Sequence, residues 1–259
     1  MKSHKLIGYG ERKLVFFPGL LGTRDALDPM LRYSDASRHQ WAVGEYRGYG
    51  SLRKVAGLRT LREVVLDTVQ MVEFLDWQDF TVVGHSMGGL VAQMVAVAMP
   101  RRVNAIVLLS GMGAGGACPD GRRLSTLAGG GVSREECEAL VRAGTGGVYG
   151  RGVERAIVAA SFADIDPQAM ASYARDSLTT DIREQVRGLP HPVLELVGEH
   201  DPRRTPDMAR QTTGEYYKNA VIESVPGAGH YLVHEAPLRV VSSIERFVGT
   251  LAAESAATV

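Results

Sequence analysis

Six short apolar runs constrain the fold of this chain more than any other feature of its sequence. Each run is continuous rather than alternating, which is typical of strands that are covered on both faces of a sheet. Amphipathic segments with helical spacing lie between several of these runs. Strands that alternate with helices predict a mostly parallel central sheet flanked by helices, which is an α/β fold. The six runs are residues 13–19, 40–46, 80–86, 103–111, 192–199 and 220–227.

The helical pattern is clearest in three segments. Residues 58–76 repeat apolar side chains at three- and four-residue spacing, and residues 90–100 continue as an apolar helix that ends at Pro100. The last helix is predicted over residues 237–253, with Pro237 near its start, where proline is tolerated.

The alternation of strands and helices stops between residues 111 and 188. Glycine-rich loops come first, and three predicted helices follow over 133–144, 153–165 and 166–178, with Ser133 and Asp166 as candidate N-caps. An interval of this length is unusual as a simple connection in a compact domain. We therefore interpret 111–188 as a helical cap or lid, inserted into a core formed by residues 1–110 and 189–259.

Composition restricts the classes of partner. The chain has 259 residues, and its 29 Lys and Arg balance 29 Asp and Glu, so no overall charge favours nucleic acid or an anionic membrane. The two cysteines, Cys118 and Cys137, form neither a disulfide framework nor a metal cluster. The first residues lack the apolar core of a signal peptide, and no run approaches the length of a membrane span. We expect a cytoplasmic protein.

The segment Gly84-His85-Ser86-Met87-Gly88 lies where a predicted strand meets a predicted helix. A G-x-S-x-G pattern in this context is typical of a sharp turn that exposes a nucleophilic serine. Ser86 would then project above the carboxyl edge of the sheet, where ligands bind in open α/β folds. The alternative is a packing turn in which the serine has no chemical role.

A serine hydroxyl needs a base to accept its proton, and the base needs a carboxylate to orient it. His230 is the candidate base, because it follows a strand in a glycine-rich loop just before the last helix. His234 is the competitor and lies nearer the helix, whereas His85 is expected to point away from the turn. Asp201, just beyond the strand at 192–199, is the candidate carboxylate, and Glu199 is its nearest rival.

The exit of the first predicted strand, VFFPGLLGT, offers main-chain amides to a developing oxyanion. We predict that the backbone N–H of Leu20 acts as one donor and that of Met87 as the other. The alternative is an ordinary loop between a strand and a helix. Leu20, Leu21 and Met87 would also give the mouth of the site an apolar wall.

These motifs together resemble the α/β-hydrolase fold, in its single-domain, capped, serine-nucleophile branch of esterases and lipases. The matching stretches are PGLLGT, EYRGYGS, GHSMGG, LVGEHD and GAGHYLVHEAP, and they extend over nearly the whole chain. Two positions depart from the family pattern. Pro18-Gly19 replaces the usual His-Gly, and Glu45 replaces the usual Asp before the Arg-Gly turn. The short N-terminal segment also predicts that the customary antiparallel first strands are trimmed.

The resemblance implies a serine hydrolase that cleaves an ester, lactone or thioester of a small, largely apolar substrate through an acyl-enzyme. The same site would also serve C–C bond hydrolysis, perhydrolysis or acyl transfer, and a small-molecule receptor that kept the fold is a further alternative. Ser86 argues against dehalogenases and epoxide hydrolases, which use an aspartate there. No metal or organic cofactor is implied, nucleic acid is not expected as a partner, and no oligomeric state is indicated.

Overall fold

A seven-stranded sheet forms the centre of the protein. The computed structural model describes residues 4–116, 133–159 and 162–257. The strand order across the sheet is β1-β3-β2-β4-β5-β6-β7. The strands are β1 (His4–Gly8), β2 (Arg12–Phe17), β3 (His39–Gly44), β4 (Phe80–His85), β5 (Val103–Leu109), β6 (Val193–Gly198) and β7 (Ala220–Val225).

The α-helices of the described ranges flank this sheet. They are α1 (Asp28–Leu31), α2 (Leu61–Phe74), α3 (Met87–Ala98), α4 (Arg134–Gly144), α5 (Arg151–Ala159), α6 (Pro167–Thr179), α7 (Arg183–Val186), α8 (Pro206–Tyr216), α9 (Leu232–Glu235) and α10 (Pro237–Ala257). None of these helices is both long and apolar enough to cross a membrane.

All six predicted strands are present, and every neighbouring pair among β2 to β7 is parallel, which confirms the α/β class. The expectation that the antiparallel N-terminal strands are trimmed is wrong for one strand. β1 pairs antiparallel with β3, with Leu6 opposite Ala42. This strand lies at the edge of the sheet and is only partly buried, so its sequence lacks the continuous apolar run that marked the others.

Neighbouring residues of the central strands enter two separate hydrophobic cores, which is why their apolar runs are continuous. On β4, Val82 packs into the core beneath α2 and α3, whereas Val83 packs into the core beneath α1 and α10. Successive side chains of a strand point to opposite faces, so a strand covered on both sides needs apolar residues at every position.

The interval from 111 to 188 contains α4 to α7, and its described residues include no strand apart from a single bridge between Ile165 and Tyr49. Both predicted N-caps form. Ser133 and Glu136 make a reciprocal capping box, and the Asp166 side chain accepts hydrogen bonds from the first amides of α6. Of the two cysteines, Cys118 lies outside the described residues, and Cys137 is buried in α4.

Candidate active site

The turn between β4 and α3 holds Ser86 in a left-handed conformation, with φ +51° and ψ −119°. A non-glycine residue adopts this conformation only where its surroundings impose it. The surroundings here are close main-chain contacts, because a Cβ at Gly84 would collide with the Gly88 carbonyl, and a Cβ at Gly88 would collide with the Phe17 carbonyl. The packing of β2, β4 and α3 therefore fixes the direction of the serine side chain.

The structure brings Ser86, Asp201 and His230 into one hydrogen-bonded chain. The Nε2 atom of His230 lies 2.9 Å from Ser86 Oγ, and its Nδ1 atom lies 2.8 Å from Asp201 Oδ2. A carboxylate can only accept, so Nδ1 carries the proton, and Nε2 is left to accept a hydrogen bond from the serine hydroxyl. This tautomer is the one that a general base requires.

Asp201 lies in a buried loop that keeps its side chain ionised. One carboxylate oxygen faces His230, and the other accepts hydrogen bonds from the main-chain amides of Arg203 at 2.8 Å and Arg204 at 3.2 Å. Burial by itself would raise the pKa of Asp201, but the hydrogen bond and charge of His230, with the Arg203 amide, hold the pKa below its ordinary value. The rival Glu199 is exposed and bonds the Gly227 amide instead.

A buried ion pair that was not predicted from the sequence anchors the loop that carries Asp201. The guanidinium of Arg204 binds Glu195 of β6 through two bonds of 2.6 and 2.9 Å, and it also donates to the hydroxyls of Thr212 and Thr213. The Glu195 side chain is fully buried. The available signal was a glutamate in the middle of an otherwise apolar strand, since such a charge needs a partner.

We expect Arg204→Met to lower the free energy of unfolding by about 3–5 kcal/mol, because it leaves the Glu195 carboxylate buried without its partner. Urea denaturation followed by far-UV circular dichroism measures this change. Arg210→Met is the matched control, since Arg210 pairs with Asp207 at an exposed position of α8, the helix that begins just after Arg204. Equal unfolding midpoints for the two variants would contradict the assigned role.

The loop that carries His230 is fixed by Glu235, whose role was also not predicted from the sequence. The two carboxylate oxygens of Glu235 accept hydrogen bonds from the amides of Gly229 at 2.6 Å and Tyr231 at 2.7 Å. The amide of His230 itself donates to the Gly144 carbonyl at 2.9 Å. Three successive amides are therefore bonded, and the loop holds the imidazole in place.

His85 completes the support of this loop. Its Nε2 atom donates to the main-chain carbonyl of His230 at 2.8 Å, so the proton lies on Nε2. Burial, followed by the charge of His230, lowers the pKa of His85 to about 3, so the ring is neutral at neutral pH. The side chain turns to the histidine loop rather than to the serine hydroxyl. The competitor His234 lines the cavity, and burial lowers its pKa to about 4.

The two predicted oxyanion donors belong to residues that line the same cavity as Ser86. Met87 is the first residue of α3, and Leu20 lies in the turn after β2. Neither amide donates to an acceptor within the described ranges. Such free amides at a helix start and a tight turn can stabilise a negative charge.

A cavity of about 440 Å³ opens over Ser86. Leu20, Leu21 and Met87 all line it, as the sequence predicted. Leu140, Ile157 and Ala174 reach it from α4, α5 and α6. Arginines also contribute to the wall, while no Asp or Glu of the described residues does. Within the same described part of the chain, no three His, Cys, Asp or Glu side chains form a group that could hold a metal ion.

Sequence comparison with curated proteins gives short matches. A candidate carbamate hydrolase of Azorhizobium caulinodans is 29% identical over 76 residues, and a serine hydrolase-like protein of Danio rerio is 45% identical over 49 residues. These alignments cover 29% and 19% of this chain. They span 29% and 15% of the length of those relatives, respectively.

Solved structures match over nearly the whole length. An enol-lactonase from Burkholderia xenovorans LB400 has a TM-score of 0.84 at 19% identity, with 95% of each chain covered. An esterase from Exiguobacterium antarcticum has a TM-score of 0.85 at 15% identity, with 95% of this chain and 94% of the esterase covered. At these identities the likeness concerns the fold. The sequence model of the alpha/beta hydrolase family matches residues 14–243, and the chain therefore belongs to that family.

Proposed function

We propose that the protein is a serine hydrolase that cleaves an ester-type bond of a small, largely apolar substrate through an acyl-enzyme. The observation that carries the proposal is the hydrogen-bonded chain from Asp201 through His230 to Ser86. The geometry matches the requirement that a nucleophile contact its base and that the base contact an orienting carboxylate.

In the proposed reaction, Ser86 Oγ attacks the substrate carbonyl carbon while its proton moves to His230 Nε2. The amides of Leu20 and Met87 bind the oxyanion that forms on the carbonyl oxygen. The imidazolium then protonates the leaving oxygen or sulfur, and the acyl-enzyme remains. Water, deprotonated by the same imidazole, attacks this ester, and the acid leaves as the Ser86 hydroxyl is restored. Asp201 stabilises the imidazolium throughout.

We also propose that residues 111–188 act as a cap over this site. Leu140, Ile157 and Ala174 bring three of its helices to the cavity wall. The Gly144 carbonyl at the end of α4 binds the amide of His230, which joins the proposed cap to the histidine loop. An apolar wall and a volume of this size suit a small acyl group.

Active-site labelling combined with substrate profiling tests the proposal. We expect a fluorophosphonate to label Ser86 and to abolish cleavage of short-chain p-nitrophenyl esters, lactones or thioesters. A burst of nitrophenol would indicate the acyl-enzyme. Added alcohols or hydrogen peroxide would divert the acyl group if acyl transfer or perhydrolysis were the main reaction, and product analysis separates these from C–C cleavage. Absence of both labelling and turnover would contradict the proposal.

A further inference from the structure

Two buried tyrosine hydroxyls bind the turn that carries the proposed oxyanion donor. Tyr46 donates to the carbonyl of Pro18 at 2.6 Å, and Tyr49 donates to the carbonyl of Leu20 at 2.9 Å. Both tyrosines lie in the segment that follows β3, and neither is more than 1% exposed. The turn itself abuts the serine, since a Cβ at Gly19 would lie 3.3 Å from the Cβ of Ser86.

The carbonyls of three successive residues in this turn are thereby bonded. The Gly19 carbonyl, between the two that bind the tyrosines, accepts a hydrogen bond from the Gly22 amide at 2.9 Å. The N–H of Leu20 belongs to the same planar peptide as the Gly19 carbonyl and points in the opposite direction. The orientation of that N–H is therefore set by its own peptide and by the two flanking peptides that the tyrosines hold.

We propose that Tyr46 and Tyr49 are positioning residues for the oxyanion site, acting through the main chain of the Pro18–Leu20 turn. This inference rests on the function proposed above. Pro18-Gly19 departs from the family's usual His-Gly, and Pro18 has no amide hydrogen with which to fix the turn. The phenol hydroxyls supply hydrogen bonds from outside the turn instead.

Two further features preserve the hydrogen bonds of these hydroxyls. Burial, with a contribution from the neighbouring tyrosines, raises the pKa of Tyr46 and of Tyr49 well above the ordinary value, so both remain donors. Their rings pack against each other, with centroids 5.5 Å apart, and against Tyr173 of α6 at 5.3 and 5.7 Å. The Tyr173 hydroxyl is also buried, but it makes no hydrogen bond to the Pro18–Leu20 turn.

The cluster therefore contains its own control for a tyrosine-to-phenylalanine comparison. Tyr46→Phe and Tyr49→Phe each remove one hydrogen bond to the turn, whereas Tyr173→Phe removes a hydroxyl that makes no hydrogen bond to the turn. We expect kcat to fall about tenfold in each of the first two variants, with KM nearly unchanged, because the oxyanion bonds strengthen only in the transition state. Tyr173→Phe is expected to stay within about twofold of the parent.

The readouts separate positioning from general destabilisation. Rates are expressed per active site, titrated with the fluorophosphonate, so unfolded protein is not counted. Binding of a trifluoromethyl ketone, which forms an oxyanion on Ser86, should weaken in parallel with the fall in kcat for Tyr46→Phe and Tyr49→Phe.

Equal kcat values for Tyr46→Phe, Tyr49→Phe and Tyr173→Phe, or a change in KM alone, would overturn the inference. The underlying function fails in a different way, because the parent protein would then show neither labelling of Ser86 nor ester cleavage.

Discussion

Ser86→Ala is expected to lower the turnover of an activated ester by about 10⁴- to 10⁶-fold while the protein stays folded. The substitution removes one oxygen atom, the atom that hydrogen-bonds His230. Alanine tolerates the left-handed backbone no worse than serine does, since both carry a Cβ. The loss is therefore chemical, and kcat with a p-nitrophenyl ester measures it.

Ser177→Ala is the matched control for this experiment. Ser177 also lines the cavity, but its hydroxyl donates to the Ala174 carbonyl within α6 and takes no part in the proposed chemistry. We expect this variant to keep its rate within about threefold, as substitutions outside the reacting groups commonly do. Substantial ester cleavage by Ser86→Ala, with the parent's KM, would rule out the serine as nucleophile.

Asp201→Asn is expected to lower kcat by about 10³- to 10⁴-fold through the wrong tautomer of His230. One carboxylate oxygen of Asp201 accepts hydrogen bonds from the amides of Arg203 and Arg204. The asparagine must therefore place its carbonyl oxygen toward these amides. Its NH₂ group then faces His230 Nδ1 and forces the ring proton onto Nε2. In that form the imidazole cannot accept the proton of Ser86.

Glu199→Gln provides the comparison, because Glu199 lies two residues from Asp201 and accepts a hydrogen bond from the Gly227 amide, whereas His230 is bonded to Asp201. It should leave kcat within about twofold of the parent. The position of the proton can be followed directly, since the Nδ1–H resonance of His230 should disappear from the NMR spectrum of Asp201→Asn and persist in Glu199→Gln. A parent-like rate in Asp201→Asn would assign the orienting role to another group.

Local patterns predicted most of the sheet because burial on both faces demands apolar residues at every position. β1 was not predicted because its five partly buried residues carry no continuous apolar run, and α8 was not predicted although Thr205 caps it. The caps of α4 and α6 were predictable, since a capping side chain acts within its own helix turn. Elements whose stability depends on contacts within a few residues of the chain were therefore predictable.

The sequence shows Ser86, Asp201 and His230 in this order after the ends of β4, β6 and β7, and parallel strands carry their carboxyl ends to one edge of the sheet. The contacts that fix the positions of these side chains could not be predicted from the sequence. No periodic pattern in the sequence predicts these contacts. They are the ion pair of Arg204 with Glu195, the bonds of Glu235 to two amides, and the bonds of Tyr46 and Tyr49 to two carbonyls. Their partners are main-chain groups or remote residues, so only the packed chain could select them.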